Sequence, residues 1–220
     1  MLRQERKRNA DFVADVSHQL KTPLAALRLY TDLDDPAYRD KQLQLLDRME
    51  ELVARLLRLE KLRAGAYTLE YESHGLEGLV QAVWQELAPL YPERQLVLTG
   101  TATLRCDNFW MREALHNILQ NACEQTATDP RIHVDLTATE ASCQVSIEDH
   151  GGGVDASTLD RLFDRFSRAP GASPQSTGLG VAITRAIVQL HHGTVQAKNT
   201  ANGLQVRMTL PILSGYRRWE

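Results

Sequence analysis

The stretch IHVDLTATEASCQVSIEDHGGG, residues 132–153, changes the grammar of the chain. Apolar and polar side chains alternate along it, the mark of two half-buried strands joined by a turn. It ends in a carboxylate, Asp149, followed by Gly151, Gly152 and Gly153. A buried carboxylate can accept a hydrogen bond from an exocyclic amine, and glycines let a backbone turn lie against a flat ligand. Outward from this stretch the same grammar continues. YTLEYES (67–73) and RQLVLTG (94–100) read as strands around a helix at about 76–91. NFWMREALHNILQNACEQT (108–126) and VAITRAIVQLHHG (181–193) read as helices. TVQAKNT and GLQVRMTLPI close with a hairpin that turns around Ala201, Asn202 and Gly203. The mixture predicts an α/β sandwich, with helices on one face of a mixed sheet.

Residues 1–66 behave differently and are expected to be a separate all-α domain, with 67–220 forming the sandwich. Val13, Val16, Leu20, Leu24 and Leu27 recur at three- and four-residue spacing, one stripe of a helix. DLDDPAYRD (32–40) breaks the pattern with turn residues and a proline. A second periodic run places Leu46, Met49, Val53 and Leu56 on one face and stops at Gly65. Two such helices cannot bury both stripes alone. Pairing with a second copy into a four-helix bundle is the economical solution.

The chain of 220 residues is comfortable for two small domains, and its composition, 43% apolar and 24% charged, is that of a soluble globular protein. A net charge of −3 offers no basic excess for nucleic acid. Cys106, Cys123 and Cys143 are too few and scattered for a disulfide framework or a metal site, and suit a reducing cytosol. No apolar run is long enough to cross a bilayer and no signal peptide is visible. The abrupt charged start, MLRQERKRNA, reads as a soluble fragment.

Four groups of residues carry chemistry. On a helical wheel His18 points roughly 160° away from the apolar stripe, so it is presented to solvent or to another domain. Thr22 and Asp15 share its face one turn away on either side. Asp149 with Gly151 and Gly153 is the second group. Gly178 and Gly180 in STGLGVAIT form the third, opening a helix whose free N–H groups and dipole face whatever sits there. Asn117 and Asn121, one helical turn apart, suit neutral oxygen ligation of Mg²⁺. Each group alone is a moderate signal.

Together and in this order they resemble the bacterial two-component sensor histidine kinases. SHQLKTP is similar to the phosphoacceptor box, HNILQNA to the N box, DHGGG to the first glycine box, LFDRFSR to the F box and TGLGVAI to the second glycine box. LHHG is similar to the family's His-Gly-Gly end. The likeness runs from about Asn9 to Pro211. It implies a dimerisation and phosphotransfer hairpin followed by a Bergerat ATP-binding domain, the fold of gyrase, Hsp90 and MutL. It further implies that His18 is the nucleophile on the γ-phosphate of ATP and that Asp149 holds the adenine amino group. Asn121 would bind the Mg²⁺ on the phosphates, with Asn117 beside them. Gly151, Gly153, Gly178 and Gly180 would form lid hinges and phosphate contacts. Phe163 and Phe166 would pack a mobile lid, SRAPGASPQS, from which Arg168 reaches the phosphates. Thr22 would position water for dephosphorylating the partner, a response-regulator receiver domain. A homodimer located in the cytoplasm is implied, with any membrane anchor outside this chain. The gyrase and Hsp90 branches carry a water-activating glutamate where this chain has Asn117, which favours a kinase over a free-standing ATPase.

Two positions depart from the family pattern. The residue after the histidine is usually Glu or Asp; here it is Gln19, which accepts a hydrogen bond but takes no proton. Slow autophosphorylation is expected, or partial substitution by Asp15. In NACEQT, Glu124 and Gln125 stand where relatives often place Lys-Tyr, so a basic phosphate contact is lost and a carboxylate is expected near the phosphates. These departures keep two other readings open: a phosphatase-dominant protein, and a dimeric scaffold that binds nucleotide only as a signal.

Overall fold

The computed structural model describes residues 2–33, 35–125, 129–167 and 177–212, with side chains from Val13 onward. Two compact units divide at Leu57 and Arg58. The first holds helix α1 (Leu2–Asp32) and most of α2 (Arg39–Arg63). Between them Pro36–Tyr38 makes a single 3₁₀ turn, which Asp35 caps by accepting the Ala37 N–H at 2.9 Å. Its proline fixes φ where a helix begins and loses no needed donor. The hairpin is closed by Tyr30 stacked on Tyr38, centroids 4.9 Å apart, with the Lys41 ammonium over both rings. Gln42 adds a hydrogen bond to the Thr31 hydroxyl at 3.3 Å.

Pro23 lies inside α1, and the helix runs through it. The expected local break is confined to the missing N–H, which leaves the Gln19 carbonyl without its usual donor. The apolar stripes are only partly covered. Val16, Leu20 and Leu27 are half-buried, whereas Val13, Leu24, Leu43, Leu46 and Val53 remain 40–61% exposed. Single exposed leucines are ordinary, but a file of them along one hairpin is an uncovered face.

In the second unit, five strands form one mixed sheet: β2 (Gln95–Gly100), β4 (Arg131–Ala138), β5 (Ser142–Glu148), β6 (Thr194–Asn199) and β7 (Leu204–Pro211). Their order is β2-β4-β5-β7-β6, with only β2 and β4 parallel. The alternation read from the sequence is the register observed. Ile132, Val134, Leu136, Cys143, Val145, Ile147, Val206, Met208 and Leu210 turn inward and are buried. Ser146, Arg207, Gln205 and Glu148 face outward, joined by side-chain hydrogen bonds. Helices α3 (Leu76–Leu87), α4 (Asn108–Gln125) and α6 (Gly180–Leu190) contribute the buried partners, among them Val80, Val83, Met111, Leu115, Ile118 and Ile183. Each such side chain contributes about 1.5–3 kcal/mol of transfer free energy.

One reading of the sequence needs correction, and two short elements were missed. YTLEYES is not a strand over its length: β1 is Glu72–Gly75, and it pairs antiparallel with β3 (Thr103–Cys106) in a separate two-stranded sheet. Neither β3 nor the short helix α5 (Ala156–Asp160) was legible, because four or five residues carry too little periodicity. All three cysteines are free and buried, and desolvation pushes the Cys106 and Cys123 thiols up to about 12 and about 11.

Candidate functional site

Asp149 follows the last residue of β5 and is 3% exposed. Its Oδ1 accepts the Gly151 N–H at 2.9 Å and the Leu204 N–H at 3.1 Å. Among the described residues Oδ2 accepts none. Burial raises the carboxyl's pKa above its ordinary value, and the two backbone donors pull it partly back. A carboxylate fixed by one oxygen and open at the other is fitted to take a hydrogen bond from an amine.

The glycines around it are required by close approach. A Cβ on Gly151 would sit 2.4 Å from the Gln125 carbonyl oxygen, where α4 ends. One on Gly203 would lie 2.0 Å from the Asp149 carbonyl oxygen. Gly153 has φ +76 and abuts Asn199, whose side chain clamps Val154 by accepting its N–H at 3.0 Å and donating to its carbonyl at 2.6 Å. The tip of the β6–β7 hairpin therefore builds half of the Asp149 cradle. Sequence reasoning placed that turn correctly but missed Gly203 and Asn199, because nothing in their local pattern says what the turn touches.

The other side of the site is made by α4 and α6. Asn117 is 7% exposed, and among the described residues its Nδ2 has no hydrogen-bond partner. A Cβ on Gly180, the first residue of α6, would lie 3.0 Å from Asn117 Oδ1, so the helix N-terminus comes directly against the asparagine. Asn121 is half-buried one turn further on. An orphaned amide donor beside free helix N–H groups is a setting for anionic oxygens. Gly178 has φ +68, and a Cβ there would meet Phe166 Cα at 2.8 Å. Phe166 itself has φ 59, so the F box and the second glycine box press together in left-handed backbone. Phe163 is half-buried in the same turn. Arg168 and the rest of the expected lid through residue 176 lie outside the described residues.

Glu124 follows Asn121 by three residues on α4. Its carboxylate accepts from Gln120 Nε2 at 3.0 Å and from the Tyr91 hydroxyl at 3.4 Å. A separate cleft of about 610 Å³ is lined by Glu70, Glu86, Phe109 and Glu113. Its acids Glu86 and Glu113 are paired with Arg112 and Arg58, and none of the site residues named above lines it.

On the first unit His18 and Thr22 are exposed, as the helical wheel required, and so is Asp15. The Thr22 hydroxyl donates to the His18 carbonyl at 3.4 Å. Gln19 is half-buried.

A mixed sheet covered on one face by helices, with a carboxylate and glycine turns at one end and a helix N-terminus opposite, is the architecture of an ATP-binding sandwich. The family profile described as Histidine kinase-, DNA gyrase B-, and HSP90-like ATPase matches residues 106–214, and His Kinase A (phospho-acceptor) domain matches residues 8–65. The chain belongs to the two-component sensor histidine kinases. It is 32% identical to Sensor protein QseC of Salmonella typhi over 212 residues, 89% of this chain and 46% of that protein. The chain thus spans about half the length, or less, of the curated relatives it matches. Among solved structures, the Acinetobacter baumannii histidine kinase AdeS superposes with a TM-score of 0.74 at 22% identity, covering 90% of this chain and 98% of that one. Histidine kinase ThkA in complex with the response regulator TrrA superposes with a TM-score of 0.73 at 22% identity, covering 98% and 66%. No helix among the described residues is long and apolar enough to cross a membrane.

Proposed function

We propose that the chain is the catalytic core of a sensor histidine kinase, which moves the γ-phosphoryl group of ATP to His18 and then to an aspartate of a response regulator. The observation that carries it is the pairing, in one chain, of an exposed histidine in a phosphoacceptor box with a buried carboxylate left open at Oδ2. The working division is the phosphoacceptor hairpin 1–66 and the ATP-binding domain 67–220.

In this reading Asp149 Oδ2 accepts from the adenine amino group, and Gly151 and Gly153 let the turn lie against the base. Asn117 Nδ2 and the N–H groups at Gly180 receive phosphate oxygens. Gly178 and Phe166, with Phe163, set the base of the lid from which Arg168 would approach. Asn121 would hold Mg²⁺ through its side-chain oxygen, a hard neutral donor that fits the ion; the ion supplies charge neutralisation on the phosphates. A nitrogen of the His18 imidazole attacks the γ-phosphorus, an N–P bond forms, the bond to the β-phosphate oxygen breaks and ADP leaves. The displaced imidazole proton passes to water or to Asp15, since Gln19 cannot take it. Thr22 would orient the water that hydrolyses the regulator's acyl phosphate. The uncovered stripe of the hairpin, Val13 to Val53, is the face expected to pair with a second copy. Cytoplasmic placement follows from the same reading, with any membrane anchor belonging to segments outside this chain.

No site geometry favours the scaffold or the phosphatase-dominant reading. The test is the intact mass of the protein after Mg²⁺-ATP. A gain of one phosphoryl group in the wild type but not in His18→Ala supports the kinase; no gain despite measurable ATP binding would favour the scaffold.

A further inference from the structure

We infer that His191 is a positioning residue for nucleotide binding: its neutral ring holds α4 and α6 in register, and protonation releases the Asn117–Gly180 end of that pair. The inference rests on the proposed nucleotide site and deepens it.

His191 is 3% exposed at the end of α6. Its Nδ1 lies 2.9 Å from the Ile187 carbonyl oxygen, and its Nε2 lies 3.1 Å from the Asp107 amide nitrogen. A carbonyl only accepts and a backbone N–H only donates, so both ring nitrogens have fixed roles: Nδ1 carries the hydrogen and Nε2 is bare. A second proton on Nε2 would face the Asp107 N–H, donor against donor, with water excluded.

The partner is the residue that starts the other helix. Asp107 caps α4 by accepting the Trp110 N–H at 3.1 Å on Oδ1, while Oδ2 accepts the Glu70 N–H at 2.9 Å. Two further ties follow along the antiparallel pair. The buried Thr184 hydroxyl shares its one hydrogen between the Ala114 carbonyl at 3.3 Å and the Gly180 carbonyl of its own helix at 3.1 Å, and Gly180 abuts Asn117. Asp107–His191, Ala114–Thr184 and Asn117–Gly180 are thus three successive rungs, of which the last is the phosphate end of the proposed site. Only the first contains an imidazole.

The groups facing the ring have opposed effects. The Asp107 carboxylate favours an imidazolium, and His192 on the same helix end disfavours it. From the approach to β1 the Tyr71 ring meets His191 edge-on at 5.6 Å, and the Cys106 thiol beside Asp107 stays neutral. Burial outweighs the carboxylate, and the His191 pKa lies below the ordinary histidine value. The sign follows: an unfolded chain takes the proton at the ordinary value while the fold resists it. The stabilisation is complete above that value and is lost as pH falls through the lower native one.

The experiment uses the whole 220-residue chain and AMPPNP with Mg²⁺ as the probe. Affinity is measured from about pH 8 to about pH 5.5, a window around the ordinary histidine value, for wild type, His191→Gln and His191→Leu. Titration of Asp149 adds equally to all three, so the comparison isolates His191. Expected are a wild-type loss on acidification at least about threefold larger than that of His191→Gln, and a weakening of about 3- to 30-fold in His191→Leu at about pH 8 that His191→Gln largely recovers. Nitrogen-15 NMR of the wild type, which needs no variant to fold, should find Nδ1 protonated and Nε2 bare at neutral pH. Superimposable pH profiles for wild type and His191→Gln, or an imidazolium at neutral pH, would overturn the role of His191 alone. No wild-type binding of AMPPNP at about pH 8 would instead overturn the nucleotide site, and this inference with it.

Discussion

Asp149→Asn replaces one oxygen by an NH₂ group and separates folding from recognition at the proposed adenine anchor. In the native fold Oδ1 holds the Gly151 and Leu204 N–H groups, and the amide oxygen of asparagine can keep both. Burial already disfavours the charge on this carboxyl, so losing it offsets part of the weakening of those two bonds. The cost to stability should stay within about 1 kcal/mol. At Oδ2 the change reverses polarity: an N–H donor now faces the amino group of adenine. Losing a hydrogen bond to a charged acceptor costs about 1.5–3 kcal/mol, which is about 10- to 150-fold in affinity. Guanine presents a carbonyl oxygen at that position, so the same variant should gain relative affinity for a guanine nucleotide. Calorimetric titration with AMPPNP and GMPPNP, beside thermal unfolding of the same samples, measures all three quantities. A variant that melts like the wild type and still binds AMPPNP with wild-type affinity would refute the adenine assignment.

Other outcomes follow from single contacts. Gln19→Glu supplies the missing proton acceptor and should raise the autophosphorylation rate by about tenfold or more, whereas Asp15→Asn should lower it; rates measured with γ-labelled ATP decide both. Gly203→Ala places a Cβ 2.0 Å from the Asp149 carbonyl oxygen and should cost about 1–3 kcal/mol in chemical denaturation while weakening AMPPNP binding. Leu24→Glu with Leu43→Glu charges a face that is 53% and 52% exposed at these residues in one chain. Sedimentation should then find a monomer whose AMPPNP affinity stays within about twofold of wild type, because the proposed nucleotide site lies in the other unit.

The strands around Asp149 were legible because a sheet covered on one face writes its register into the sequence: Ile132, Val134 and Leu136 alternate with residues that face away from the helices. Helices α4 and α6 were legible for the same reason at a longer period. The ends and the cradle were not. YTLEYES has strand-forming composition, yet only its last residues pair, because the partner β3 offers four residues to pair with. Gly203 and Asn199 sit some 50 residues beyond Asp149 and reach it only through the β6–β7 turn. Glu124 shares a helix face with Asn121 by spacing, but spacing does not name Gln120 and Tyr91, the two groups that hold its carboxylate. Spacing fixes which residues are neighbours on a helix, while tertiary partners fix where a long polar side chain points.

The central claim is that His18 receives the γ-phosphoryl group of ATP. The most direct measurement incubates the wild type and His18→Ala with Mg²⁺ and ATP labelled at the γ-phosphate, then divides each sample between acid and base. Label on the wild type that acid removes and base spares, and that His18→Ala never acquires, is the result the account predicts. Label retained in His18→Ala, or no label on a wild type that binds ATP, would contradict it.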